Sequence, residues 1–231
     1  MNAYRPSARR PIADIFRSTA ILAVAICRKF DIHPNTVSYA SIVASALAAI
    51  CFWQSAAAPV LLVIGALGCL IRLWLNMLDG MVALATGKAS RIGEIVNELP
   101  DRISDVVIFV GIAHSGLCHM LLGYWSAILS LLVAYVGVLG QAVGVQREFS
   151  GTMSKPWRMA VLALAASLTP LWLWWQQGPS QSSSLTLIDG ALIVIVIGCL
   201  QTIWVRLSRI VQALQAIDAP HVARPLDRVR L

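Results

Sequence analysis

Charged residues are scarce in this sequence. They make up 13% of the 231 residues, whereas soluble globular domains carry about 25%. Hydrophobic residues make up 58%, and the mean hydropathy is +0.75. A water-soluble domain of this size cannot bury so much apolar surface. The composition therefore excludes a soluble protein and predicts one all-α integral membrane domain.

Cysteine pairs and compact basic patches are also missing. The five cysteines form no C-x-x-C pair and most lie in apolar runs, which argues against a zinc site and predicts small buried side chains. The formal net charge is +7, but the cations are not interleaved with aromatic residues in one patch. We therefore expect no nucleic-acid partner.

Long apolar runs dominate what is present, and we interpret six of them as membrane spans, each near the roughly 20 residues that a bilayer requires. Their predicted bounds are Val37–Phe52, Val60–Leu78, Ile103–Leu121, Trp125–Gly144, Met159–Trp175 and Leu187–Val205. We expect a juxtamembrane segment at residues 1–35, the six-span domain at 36–210 and a basic tail at 211–231.

Basic residues indicate the orientation. The links at 54–59, around 114–124 and at 176–186 contain no Lys or Arg, whereas the opposite links contain nearly all of them. By the positive-inside rule, we expect an inner-membrane protein with both termini and residues 76–105 on the cytoplasmic side.

The N-terminal segment combines arginines with the short apolar run Ile21–Ile26, which cannot span a bilayer. An amphipathic helix on the cytoplasmic lipid surface is the favoured interpretation, and a disordered basic tail is the alternative. The sequence His33-Pro34-Asn35-Thr36 predicts a helix start, with Asn35 or Thr36 as the cap.

One polar stretch, Asn76 to Asp105, interrupts the apolar pattern. Asn76, Asp79 and Ala83 lie at i, i+3 and i+7, so they share one face of a helix. Beyond a short turn, Glu94, Asn97, Asp101 and Asp105 share a face of the next helix, with Glu98 beside them. Oxygen-rich clusters without thiolates suit hard ions such as Mg²⁺. The stretch is a candidate site.

The same stretch resembles the signature of the CDP-alcohol phosphatidyltransferases, D-x-x-D-G-x-x-A-R-x(7–8)-G-x-x-x-D-x-x-x-D. The spacing is kept throughout, with eight residues between Leu84 and Gly93. Three identities differ, because Asn76 and Asn97 stand at two Asp positions and Leu84 stands at the Arg position.

The resemblance implies a membrane transferase of phospholipid biosynthesis. Its members move a substituted phosphate from a CDP-linked lipid to a small polar alcohol, release CMP and commonly form dimers, so we expect a homodimer. It implies Asp79 as a ligand of Mg²⁺ or Mn²⁺ and Asp101 as the catalytic base, which also touches the metal. Gly80, Ala83 and Gly93 are implied in the CDP pocket.

The three differences affect this chemistry, because an amide offers one neutral oxygen where a carboxylate bridges two ions. Asn76, Asn97, Glu98 and Asp105 complete the candidate metal ligands. In a rival register, Asp101 and Asp105 take the last two Asp positions and the spacer is four residues longer. Arg72 shares the Asp79 face and replaces the lost arginine in CDP binding, unless it only balances buried carboxylates.

Arg147 and Lys155 lie in the predicted cytoplasmic loop after the fourth span. They are candidates for binding a phosphate-bearing acceptor. Positive-inside anchoring explains them equally well.

Two other functions remain open from the sequence. The changes at Asn76, Leu84 and Asn97 motivate a lapsed family member that binds nucleotide or lipid without turnover. A small transporter is the other, but the last two spans contain almost no polar residue near their middle.

Overall fold

The computed structural model describes residues 11–88, 91–175 and 185–218. Within these ranges it contains seven α-helices and one 3-10 turn (Gln54–Ala56), and no strand. The helices are α1 (Pro11–Lys29), α2 (Pro34–Trp53), α3 (Val60–Ala85), α4 (Arg91–Ala113), α5 (Met120–Ala142), α6 (Lys155–Trp175) and α7 (Leu187–Asp218). The predicted all-α class and the N-terminal helix are confirmed. The predicted link at 176–184 and the tail after Asp218 lie outside the described residues.

The predicted count of six spans is wrong. Five of the described helices, α2, α3, α5, α6 and α7, are long and apolar enough to cross a membrane. The expected span Ile103–Leu121 belongs partly to α4, which ends at Ala113 and starts far earlier, at Arg91. Charged residues lower the hydropathy of α4, namely Glu98, Asp101, Arg102 and Asp105.

The start of α2 and the end of α3 have specific caps. His33 is the N-cap of α2, since its Nδ1 accepts from the backbone N–H of Asn35 at 3.2 Å. The predicted helix start is confirmed, but the cap is His33 and not Asn35 or Thr36. At the end of α3, the N–H of Lys88 donates to the Ala83 carbonyl at 3.0 Å, and Gly87 has φ +66°. A residue at positive φ is a common helix stop, and glycine adopts it without strain.

Packing brings α2 against both α3 and α4, while α6 contacts α3 and α7, and α5 lies between α4 and α7. The shared core contains fully buried side chains such as Phe52, Leu62, Phe109, Leu162 and Ile195. Helix α1 packs on α3 through a second cluster around Cys27 and Val82. Many large apolar side chains on the outside are exposed, as expected for a surface that faces lipid.

The closest approach of α2 and α4 depends on Gly111. A Cβ at this position would lie 2.5 Å from the carbonyl oxygen of Ala49, which is backbone and cannot rotate away. Small residues allow membrane helices to approach in this way. Gly190 on α7 is a natural comparison, because a Cβ there meets nothing within 4 Å.

We expect Gly111→Ala to lower the free energy of unfolding by about 1–3 kcal/mol, because the methyl group forces α2 and α4 apart. Thermal unfolding in detergent, followed by tryptophan fluorescence, measures the shift. The matched control Gly190→Ala gains helix propensity without a clash, so its midpoint should stay level or rise. Equal midpoints for the two variants would contradict the packing described for Gly111.

Candidate active site

Two carboxylate–amide pairs join α3 and α4. Asn76 Nδ2 donates to Asp101 Oδ1 at 2.5 Å, and Asn97 Nδ2 donates to Asp79 Oδ1 at 3.4 Å. Ser38 on α2 donates to Asp79 Oδ2 at 2.7 Å. Asp79 and Asp101 are only 2% and 8% exposed. The structure thus brings together the four motif positions of the first register, in which Asn97 and Asp101 face α3.

Asp105 lies one turn further along α4 and is held between two arginines. Arg72 Nη2 is 2.7 Å from its Oδ1, and Arg158 Nη2 donates to its Oδ2 at 2.7 Å. Both arginines are almost fully buried. A buried carboxylate stays charged only when it is paired in this way. Both carboxylate oxygens of Asp105, the last Asp of the rival register, are therefore paired with arginines of α3 and α6.

Lys155, the first residue of α6, completes the charged cluster. Its Nζ forms an ion pair with Asp101 Oδ2. Arg72 also donates to the backbone carbonyl of Asp101 at 2.9 Å. The three buried carboxylates and the three cations around them have a formal sum of zero; they are Asp79, Asp101, Asp105, Arg72, Lys155 and Arg158.

The segment between α5 and α6 sets the position of Lys155. Arg206 on α7 donates to the Ser150 carbonyl at 2.9 Å, and the N–H of Met153 donates to Thr202 Oγ1 at 3.0 Å. Gly151 has φ +107°, and a Cβ there would lie 2.4 Å from Thr202. These contacts hold the segment against α7 directly before α6 begins, and so they position Lys155.

Glu98 and Arg147 form a separate ion pair at the rim. Glu98 Oε1 pairs with Arg147 Nη2 at 2.5 Å and also with Arg102, four residues along α4. The Arg147 guanidinium lies 5.1 Å from the centre of the Phe149 ring, a cation–π distance. Neither Glu98 nor Arg147 contacts Asp101 directly in these pairs.

The residues implied in CDP binding are arranged along the end of α3. Gly80 borders open space, since a Cβ there meets nothing within 4 Å. Ala83 and Gly93 are half-buried, whereas Leu84 is 55% exposed. Arg72 lies eight residues before Gly80, about 12 Å along the helix axis, and is fully buried. It does not occupy the place of the missing arginine.

Lys88 also lies near this end of α3, but it points elsewhere. Its Nζ is 2.7 Å from Asp31, in the turn between α1 and α2. The hydrogen bond from Lys88, and then its charge, hold the pKa of Asp31 below its usual value. Asp31 and Lys88 thus form an exposed pair outside the buried cluster.

Three important residues were missed or left without a role by sequence reasoning. Ser38 was counted in an apolar run, although Ser38, Ser41 and Ser45 recur at helical spacing and are all buried. Arg158 has no role in the sequence analysis, although it lies at i+3 from Lys155, on the same helix face. Arg206 was assigned no chemistry, and only the fold shows its contact with the 143–154 segment.

A divalent cation does not fit this arrangement. Such an ion needs converging oxygens and negative charge. Here two amide nitrogens face the carboxylates, Lys155 contacts Asp101, and the formal charges of the cluster already cancel. In the described part of the chain, no group of three or more His, Cys, Asp or Glu side chains is placed to hold a metal.

Curated relatives resemble the chain over most of their length. It is 27% identical to the inner membrane protein YnbA of Escherichia coli over 150 residues, which is 64% of this chain and 74% of YnbA. It is 26% identical to the archaetidylinositol phosphate synthase of Pyrococcus horikoshii over 168 residues, 72% of this chain and 81% of that protein.

Solved structures share the fold. The phosphatidylinositol phosphate synthase PgsA1 of Mycobacterium tuberculosis with CDP-DAG bound superposes with a TM-score of 0.67 at 19% identity, over 83% of this chain and 92% of PgsA1. The same enzyme with manganese and citrate gives 0.68 at 19% identity, over 83% and 88%.

The family assignment comes from the sequence model of the CDP-alcohol phosphatidyltransferases, which matches residues 31–204. That range includes the whole polar stretch, the 143–154 segment and every member of the buried charged cluster. The five helices that are long and apolar enough to cross a membrane, together with the relatives above, establish that the chain is an integral membrane protein. The chain belongs to the CDP-alcohol phosphatidyltransferase family.

Proposed function

We propose that the protein transfers a phosphatidyl-type group from a CDP-activated lipid to a small polar alcohol, with release of CMP, and that Asp101 is the catalytic base. One observation carries the assignment of the base: Asp101 is a buried carboxylate held by Asn76 and Lys155 at the family's last motif position. The CDP-DAG bound to PgsA1, which has the same fold, supports a CDP-lipid donor.

In the proposed step, the alcohol oxygen attacks the lipid-linked phosphorus of the donor. A new P–O bond forms, the P–O bond to CMP breaks, and the alcohol proton passes to Asp101. The Asn76 amide and the Lys155 ammonium each contact one carboxylate oxygen of Asp101 and fix its orientation. The base is thereby aligned before the acceptor arrives.

Lys155 and the open space at Gly80 define the proposed donor side. The Lys155 ammonium pairs with Asp101 Oδ2 and supplies positive charge next to the reacting phosphate. Gly80 leaves room for the nucleotide against α3, with Ala83 and Gly93 as further lining residues. Leu84 offers an apolar contact where the signature has arginine.

The cofactor prediction, Mg²⁺ or Mn²⁺, stays a prediction for this chain, and no step above depends on it. PgsA1 was solved with manganese. Asp79, Asp101, Asn76 and Asn97 stay in the proposal as the base and the polar residues around it, and not as metal ligands. Glu98 and Asp105 leave it, because arginines occupy their carboxylates. The homodimer and the cytoplasmic location of the site also remain predictions.

We expect Asp101→Asn to lower the rate of CMP release by at least about 100-fold, because the amide cannot accept the alcohol proton. The assay uses purified protein in nanodiscs with CDP-diacylglycerol and a panel of alcohols. Asp31→Asn is the matched control, since Asp31 is also paired with a lysine but is exposed and outside the site. If Asp101→Asn releases CMP as fast as the control, Asp101 is not the base. If the wild type binds CDP-diacylglycerol but releases no CMP, the protein does not catalyse the transfer.

Arg147 allows a test of the acceptor side. We propose that its guanidinium, at the rim beside Glu98, binds the phosphate of a phosphate-bearing alcohol. Arg147→Ala should then raise the KM for that acceptor about 10- to 100-fold while the KM for the CDP-lipid changes little. Arg209→Ala is the control, because Arg209 also lies near a glutamate, Glu148, at 3.8 Å but is more exposed. Equal changes in both KM values would contradict an acceptor-specific role.

A further inference from the structure

We propose that Lys155 is a built-in counter-ion of Asp101 that takes the place of a divalent cation, so that the nucleotide-free site has no measurable affinity for Mg²⁺ or Mn²⁺. The inference rests on the proposed function for the identity of the site, but not on turnover. It follows from the disagreement between the residues present and the metal that the resemblance implies.

The formal charges of this cluster balance. Three buried carboxylates are matched by two buried arginines and by Lys155, whose side chain is 18% exposed. With Asp in place of both Asn76 and Asn97, five carboxylates would face three cations, and the formal sum would be −2. That is the charge that one divalent ion neutralises. The two asparagines therefore remove the electrostatic demand for the ion.

The position of Lys155 on α6 also favours its role as the counter-ion of Asp101. A lysine in the first turn of a helix is disfavoured by the helix dipole unless an anion compensates it. Lys155 is the first residue of α6, its side chain is 18% exposed, and its partner is Asp101. Arg158, one turn later, anchors the same helix to Asp105 at 2.7 Å. The ammonium is thus held on the carboxylate by the packing of α6 and does not simply lie near it.

The side-chain amides of Asn76 and Asn97 are oriented unfavourably for binding a metal ion. Both Asn76 and Asn97 direct nitrogen, not oxygen, at a carboxylate. Asp79 also accepts from Ser38 at 2.7 Å. A divalent ion at these groups would have to displace Lys155 and turn both amides. Three favourable contacts, made by Lys155, Asn76 and Asn97, therefore oppose its binding.

The test titrates Mn²⁺ into the full-length protein in nanodiscs of neutral phosphatidylcholine, without nucleotide, and follows free Mn²⁺ by its electron paramagnetic resonance signal. The wild type should remove no Mn²⁺ up to about 1 mM, the range in which weak protein sites fill. The double variant Asn76→Asp/Asn97→Asp and the single variant Lys155→Met should each bind Mn²⁺ at least about tenfold more tightly than the wild type, because each changes charge beside the ion.

Lys88→Met is the matched control. It also removes a lysine from a carboxylate, but that carboxylate is the exposed Asp31, so Mn²⁺ binding should match the wild type. Size-exclusion profiles check that each variant is folded. The double variant and Lys155→Met change different residues, so each tests the inference separately. Wild-type binding within about twofold of Lys155→Met would overturn the inference, since the lysine would then not be competing with the ion.

CMP release from CDP-diacylglycerol, measured on the same preparations, separates the two proposals. Wild-type protein that binds Mn²⁺ alone and releases CMP would overturn the inference and leave the proposed function intact. Wild-type protein that neither binds Mn²⁺ nor releases CMP, with variants that do bind it, would support the inference and count against the proposed function.

Discussion

The neutralisation of buried carboxylates on α4 is the constraint on which the rest of the structure depends. Asp101 and Asp105 lie inside the helical bundle, where removing one partner of a buried ion pair costs about 3–5 kcal/mol. Their cations come from α3 and α6, so each pair fastens α4 to another helix. Because Lys155 and Arg158 open α6, the segment before it must be placed accurately, and contacts from Arg206 and Thr202 on α7 achieve this.

The same contacts that hold the bundle together also prepare its chemistry. Asp101 is oriented by Asn76 and Lys155, and Asp79 is oriented by Ser38 and Asn97. Fixed partners of this kind reduce the reorganisation that a reaction requires. The open space at Gly80 lies on the same helix as Asp79, one residue later, so a donor can lie against α3 beside the carboxylates.

Local patterns in the sequence predicted the parts of the structure that depend on local geometry. The i, i+3 spacing of Asn76 and Asp79 placed them on one face, and the Pro34 signal located the start of α2. Apolar runs gave most of the helices, but not α4, whose charges are tolerated only because residues distant in sequence neutralise them. For the same reason the sequence could not decide between the two roles considered for Arg72, and it assigned no role to Ser38 or Arg206. Their partners lie 29, 41 and 56 residues away and become neighbours only in the folded bundle.

The most direct test is a crystal structure of the nucleotide-free protein, from crystals grown in the presence of Mn²⁺, with anomalous diffraction recorded at the manganese edge. We expect no anomalous peak between Asp79 and Asp101, and we expect the Lys155 ammonium within hydrogen-bond distance of the Asp101 carboxylate. A manganese peak bridging the two carboxylates, with Lys155 turned away, would contradict this expectation.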